Sequence, residues 1–163
     1  SLNDDLIRTM EPRTSAPYKR LDTIETLASN GIPVGVNVAP IIPGLNDEEM
    51  PSILKEAAAC GAKSAGYIML RLPFAVEPLF LDWLQRTLPE RAPKILNRIR
   101  DVRSGQLSDS TWGKRMRGEG EIASAINQLF HINCEKYGLN KEEIKISIEH
   151  FRRELKGQLE IFG

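Results

Sequence analysis

The run Gly31–Asp47, GIPVGVNVAPIIPGLND, constrains the fold more than any other part of this chain. It opens on a helix-stopping glycine and continues with valines at alternate positions, 34, 36 and 38. It breaks at Pro40 and turns at Pro43-Gly44-Leu45-Asn46-Asp47, directly before a new apolar-periodic segment. A strand that ends in a proline–glycine turn at a helix start is where α/β proteins place small ligands. Alternation puts the valines on one face and Gly35, Asn37 and Ala39 on the other, a small and partly polar surface suited to an interior that holds a ligand.

The flanking segments repeat a helix–strand rhythm. Ser15–Asn30 reads as a helix with Ser15 as cap, Pro17 in the first turn and a stripe of Leu21, Ile24, Leu27 and Ala28. Asn46 or Asp47 is expected to cap the next helix, whose stripe is Met50, Ile53, Leu54, Ala57 and Ala58 and which Gly61 ends. Ala65–Leu72 reads as a second strand, with Ile68, Leu70 and Leu72 on one face and Tyr67, Met69 and Arg71 on the other, the second set pointing inward. Then the pattern turns helical: Val76–Leu88 with Leu79, Phe80, Trp83 and Leu84, and Glu90–Arg103 with Ile95, Leu96, Ile99 and Val102. Ser104–Gly120 is polar and glycine-punctuated, a loop. Glu121–Tyr137 is amphipathic and stops at Gly138; Asn140 with Glu143 makes a capping box for a last helix to about Phe151.

A chain of 163 residues can build one domain with a real core. Its formal net charge is zero, which argues against a general polyanion binder. The charge is uneven, however: Arg86–Arg117 carries nine basic and three acidic residues. Two distant cysteines, Cys60 and Cys134, offer neither a disulfide framework nor metal-ligand spacing, in keeping with a reducing cytoplasm. No apolar run reaches membrane length and no signal peptide is visible, so a cytoplasmic location is expected. Ser1-Leu2-Asn3-Asp4-Asp5 reads like the end of a strand, so the chain is expected to start in mid-domain.

Four motifs in order, Met10-Glu11-Pro12-Arg13, GIPVGVNVAPIIPGLND, Leu70-Arg71-Leu72-Pro73 and Arg115-Met116-Arg117-Gly118-Glu119-Gly120, resemble the C-terminal half of a radical S-adenosylmethionine enzyme. The subgroup is similar to spore photoproduct lyase and DNA repair photolyase-like proteins. The resemblance implies an α/β fold: the C-terminal half of a partial (β/α)6 barrel over residues 1–75, followed by a mainly helical extension over 76–163. It implies S-adenosylmethionine and a [4Fe-4S] cluster as cofactors of the intact parent. The cluster's three closely spaced cysteines are absent here, so this piece alone is expected to bind no cluster and to be inactive. Its partner would be the missing N-terminal half of the barrel. Family cofactor contacts come from strand ends, which map to Ser1 and Asn3, to Asn37, Ala39, Pro43 and Gly44, and to Met69 and Arg71.

Several residues carry two readings. Arg71 either meets a cofactor carboxylate or substrate anion, or pairs with Glu11. Glu11 and Arg13 either order the loop over the site and meet substrate, or pair locally. Arg115 and Arg117, with their glycines, either form an anion-binding turn or lie on a solvated loop. The basic 86–117 segment either contacts nucleic acid or bridges to acids elsewhere; a non-catalytic nucleotide- or nucleic-acid-binding module is the alternative to the enzyme. Cys60 and Cys134 read as packing residues, Phe80 and Trp83 as core, and His131 and His150 lack ligand partners. No catalytic residue and no metal ligand is assigned within this chain.

Overall fold

The computed structural model describes residues 1–109, 111–142, 148–149 and 151–152. Six helices and two strands form a mixed α/β fold: α1 Asp4–Met10, α2 Pro17–Ser29, β1 Gly35–Ile41, α3 Met50–Ala59, β2 Ser64–Met69, α4 Val76–Thr87, α5 Ala92–Asp101 and α6 Gly120–Tyr137. The helix proposed from Asn140 to Phe151, with His150, falls largely outside the described residues.

β1 and β2 pair in parallel, joined through α3, with Gly35 opposite Ser64, Val36 opposite Ala65 and Val38 opposite Tyr67. The register shifts between Val38 and Ile41, across the cis Ala39–Pro40 peptide. Proline has no N–H to give a ladder, so this is where pairing is expected to slip.

One core lies between the sheet and α3 and α6. Val38, Ile41 and Met69 from the strands meet Met50, Leu54 and Ala57 from α3 and Ala123, Ile126, Phe130 and Cys134 from α6. The stripe at period 3.6 on α3 is the one the sequence pattern exposes, while α6 turns Ala123 rather than Ala125 inward beside Ile126 and Phe130, and each fully buried aliphatic side chain contributes about 1.5–3 kcal/mol. Tyr67 belongs to this side too, its ring 4.9 Å from that of Phe130. Tyr67 and Met69 therefore turn toward the helices, not inward as the sequence pattern suggested. The strand is short and apolar on both faces, so alternation alone could not choose its orientation.

A second core caps the C-terminal ends of the strands. Ile42, Leu70 and Leu72 pack on Leu84 of α4 and on Ala92, Ile95 and Ile99 of α5, with Met10 and Trp83 at the margin. The Trp83 indole N–H donates to the Thr9 carbonyl at 3.0 Å, tying α1 to α4. Leu79, expected in the stripe, is 68% exposed.

Two helix starts differ from expectation. α2 begins on Pro17 after Ala16, with no side-chain cap, so Ser15 does not cap it. α3 begins at Met50, preceded by a 3-10 turn, Asp47–Glu49; neither Asn46 nor Asp47 caps it.

Candidate functional site

The two edges of the sheet are finished differently. On β2 the outer edge is covered. The Asn140 carboxamide accepts from the Ala65 N–H at 2.8 Å and donates to the Ala65 carbonyl at 3.0 Å, standing in for a strand. Farther along, the Met69 N–H donates to the Met116 carbonyl at 2.8 Å. Because Ala65 faces outward and pairs with Val36, it is Gly35 and Asn37 whose main-chain groups point away from β2 on the other strand. Among the described residues no strand pairs with that edge of β1.

A cavity of about 110 Å³ lies beside this bare edge, under α1 and α2. Ser1, Glu11, Asn37, Ala39 and Asn46 supply its polar and small wall; Met10, Leu21 and Ile24 supply apolar surface. Its volume matches three or four waters or one sugar-sized group. The adjoining face of the sheet is small and open: Gly35, Asn37 and Ala39 are exposed, and Gly66 sits opposite Asn37. A parallel sheet normally has both faces covered, so an open face beside a bare edge marks surface meant to be occupied.

The turn after β1 is wired from within. Asn46, 6% exposed, accepts from the Ile42 N–H at 2.7 Å and donates to the Pro40 carbonyl at 3.0 Å. Asp47 accepts from the Gly44 N–H at 2.8 Å and lies 3.8 Å from the Arg98 guanidinium. Arg91 donates to the Gly44 carbonyl at 2.9 Å. Two residues after Asp47, the Glu49 carboxylate accepts from the Ser1 hydroxyl, 2.8 and 2.9 Å from its two oxygens, and from the Leu2 N–H at 2.7 Å. The turn thus holds the end of β1 with Asn46 and the segment before α1 with Glu49.

The structure brings Ser1, Asn37, Ala39 and Glu11 together at the cavity. Asn3 instead caps α1, accepting from Asp5 and Leu6 at 3.0 Å. Pro43 is buried, and Gly44 faces α5: at φ +82° a Cβ there would stand 2.8 Å from Arg98 Cδ. The Met69 side chain is fully buried in the helix-side core, out of a ligand's reach. Glu11 pairs with Arg20 at 3.0 Å, not with Arg71. Arg71 is half-buried past the end of β2 and Arg13 is exposed.

Arg115 and Arg117 lie on the opposite side of β2 from the cavity-bearing edge. The Arg115 guanidinium stacks 4.6 Å from the ring centre of Trp112, which is 82% exposed. Arg117 borders a separate depression with Tyr67 and Asn127, whose amide donates to the Tyr67 hydroxyl at 3.0 Å. Glu119 accepts from Ser104 at 3.1 Å and pairs with Lys114 at 2.7 Å. These contacts lower the Glu119 carboxyl and raise the Lys114 amine from their ordinary values, the mutual hydrogen bond being the main cause in each.

Sequence reasoning missed Arg103. It is 2% exposed, donating to the carbonyls of Leu70 at 2.6 Å and Lys114 at 3.3 Å, with Nε unpartnered. Burial pushes its guanidinium below its ordinary value, Asp109 opposing and Arg71 adding to the effect. It bolts the 104–119 loop to the end of β2. Much of the basic surplus is spent this way: Arg86 pairs with Asp82, Arg91 and Arg98 hold the β1 turn, and Lys114 holds Glu119.

Cys134 is buried and Cys60 half-buried, and both thiols are raised, burial being the largest cause, with Glu25, Glu56 and Asp22 adding to it at Cys60. Among the described residues no group of histidine, cysteine and carboxylate side chains could hold a metal. Nor is any helix among them long and apolar enough to cross a membrane.

The chain is 32% identical over 100 residues to an uncharacterised protein of Mycobacterium bovis and, equally, to uncharacterised proteins of two strains of Mycobacterium tuberculosis. The match covers 60% of this chain but 28% of the length of those relatives. No protein-family description matches the chain, and no solved structure matches it.

Proposed function

We propose that this chain is a segment of a radical S-adenosylmethionine enzyme similar to spore photoproduct lyase, the helix-backed end of a partial (β/α)6 barrel. The observation that carries the reading is the bare edge of β1, with its cavity and its open face of Gly35, Asn37, Ala39 and Gly66. Ser1, Asn37 and Ala39, which the four-motif resemblance assigns to the cofactor, line that cavity. In this class the reduced [4Fe-4S] cluster supplies the electron that cleaves S-adenosylmethionine.

Cys60 and Cys134 do not fit the cluster. They are isolated thiols on separate elements, raised by burial, whereas cluster ligation needs thiolates. The residues of the cavity do suit the sugar of a nucleoside: a hydroxyl and a carboxamide can hydrogen-bond ribose hydroxyls, and the open small-residue face beside the cavity leaves room for a flat ring. Their part is to bind and orient; the cluster ligands would come from the rest of the barrel, which would lie along β1 and close the open face.

Anaerobic iron–sulfide reconstitution of the longer protein that contains this chain tests the reading. The account expects a brown protein that cleaves S-adenosylmethionine on reduction, and a colourless product when the 163 residues are treated alone. A longer protein that takes up no iron would overturn it.

A second reading, contact with nucleic acid, rests on the exposed Trp112 ring stacked with Arg115 beside Arg117, for which no ion pair is formed among the described residues. Base stacking on such a ring is worth about 1–3 kcal/mol per base. Titration of labelled single-stranded and duplex DNA at several salt concentrations tests it; absence of binding at low salt would remove it.

A further inference from the structure

We infer that Glu49 is a positioning residue for nucleoside binding: its carboxylate fixes the Ser1–Asn3 segment against the end of β1 and so sets the width of the cavity. This deepens, and rests on, the reading of that cavity as a nucleoside grip. Ser1 and Asn37 both line the cavity and come from separate segments of chain. Neither segment bonds the other through a strand ladder. What connects them is the turn 46–49. Asn46 holds the Pro40 carbonyl of β1 and the Ile42 N–H just after it, while the Glu49 carboxylate accepts from the single Ser1 O–H, shared between its two oxygens, and from the Leu2 N–H, at 2.7–2.9 Å. Glu49 is half-buried, and no basic side chain pairs with it among the described residues. A carboxylate that accepts charge-assisted hydrogen bonds from a hydroxyl and a main-chain amide is a specific clamp on backbone position.

The contact also sets the direction of the Ser1 hydroxyl. While its proton goes to Glu49, its lone pairs remain; one accepts from the Asn3 N–H at 3.1 Å, leaving acceptor capacity for a donor such as a ribose hydroxyl. Loss of Glu49 would release both the segment and that orientation.

The test uses the longer, reconstituted protein and S-adenosylmethionine as the probe, with binding followed by calorimetry. Glu49→Ala should weaken affinity by about tenfold or more, the size of one to two lost charge-assisted hydrogen bonds. Glu49→Gln, which keeps an acceptor oxygen, should recover part of that loss, and Glu48→Gln, at the exposed neighbour, should leave affinity unchanged. Amide exchange is the second readout: the Leu2 N–H should lose protection in Glu49→Ala while β2 keeps its own. Equal affinity in wild type and a folded Glu49→Ala, or an unchanged Leu2 amide, would overturn this inference alone. A wild type that binds no S-adenosylmethionine would overturn the nucleoside reading and this inference with it.

Discussion

The outer edge of β2 and the free edge of β1 belong to one two-stranded sheet and are treated in opposite ways. β2 is closed by a side chain that mimics a strand, Asn140 on Ala65, and by a loop carbonyl, Met116 on Met69. Among the described residues, β1 has a cavity and exposed small residues beside it and no paired strand on that edge. Proteins cover edges because bare ones recruit other chains. The fold spends a carboxamide, a loop and a buried arginine on one edge, and among the described residues no strand pairs with the other. The faces repeat the contrast: helices bury one side of the sheet, and the other side is left open.

The comparison breaks most severely if the covered side proves unimportant. Leu54→Ala removes a fully buried side chain shared by α3, α6 and the sheet and should cost about 2–5 kcal/mol in denaturant unfolding. Arg103→Met should cost about 1–3 kcal/mol, since it leaves the buried Leu70 carbonyl without its donor. Arg103→Lys should rescue little, because one ammonium cannot span the carbonyls the guanidinium fork reaches.

Asn140→Gly separates the clamp from the backbone. Asn140 sits at φ +60°, which glycine adopts freely, so the backbone is kept while the side-chain bonds to Ala65 and the weaker one to Cys134 Sγ are lost. A cost of about 1–2 kcal/mol and concentration-dependent self-association of the uncovered edge are expected, read by unfolding and by sedimentation.

The pairing of Lys114 with Glu119 adds a pH dependence. Glu119 is depressed from 4.5, so its contribution is complete above that value and is lost as pH falls through the lowered one. Lys114 is raised from 10.5, so its contribution is complete below that value and is lost as pH rises through the higher one. Glu119→Gln should flatten both flanks of the stability profile. The smallest effect belongs to the open face: Asn37→Ala should change stability by less than about 0.5 kcal/mol in this chain, since no packed neighbour depends on it.

What could be read from sequence were the features with a period or a stop signal. The stripe of α3, the alternation of β1 and the end of α6 at Gly138 follow from residue spacing and are found as expected, whereas the buried face of α6 keeps Ile126 and Phe130 but is rotated onto Ala123, Asn133 and Cys134, leaving Ala125 exposed. The grouping of Ser1, Asn37 and Ala39 was legible through motif order alone. The wiring was not. Asn46 and Asp47 look like helix caps but bond their own turn, because side chains of this type satisfy either role. Arg103 lies just past the end of α5, whose outer face is arginine-rich, and no local spacing separates it from Arg98 or Arg100; its burial comes from long-range contacts with the end of β2 and with the loop at Lys114. Asn140 reaches a strand 75 residues away, beyond any pattern in its neighbourhood. Gly44 was assigned to a ligand, yet it meets Arg98, so its replacement should first cost stability.

Amide hydrogen exchange, measured on this chain and on the longer barrel protein that the proposed function requires, tests the reading of the free β1 edge directly. In the 163-residue chain the Gly35 and Asn37 amides on the free edge of β1 should exchange rapidly, while Ala65 and Met69 on the covered edge are protected. In the longer protein all four should be protected, because a further strand would occupy the β1 edge. Gly35 and Asn37 amides that remain unprotected there, with β2 protected in both, would contradict the account.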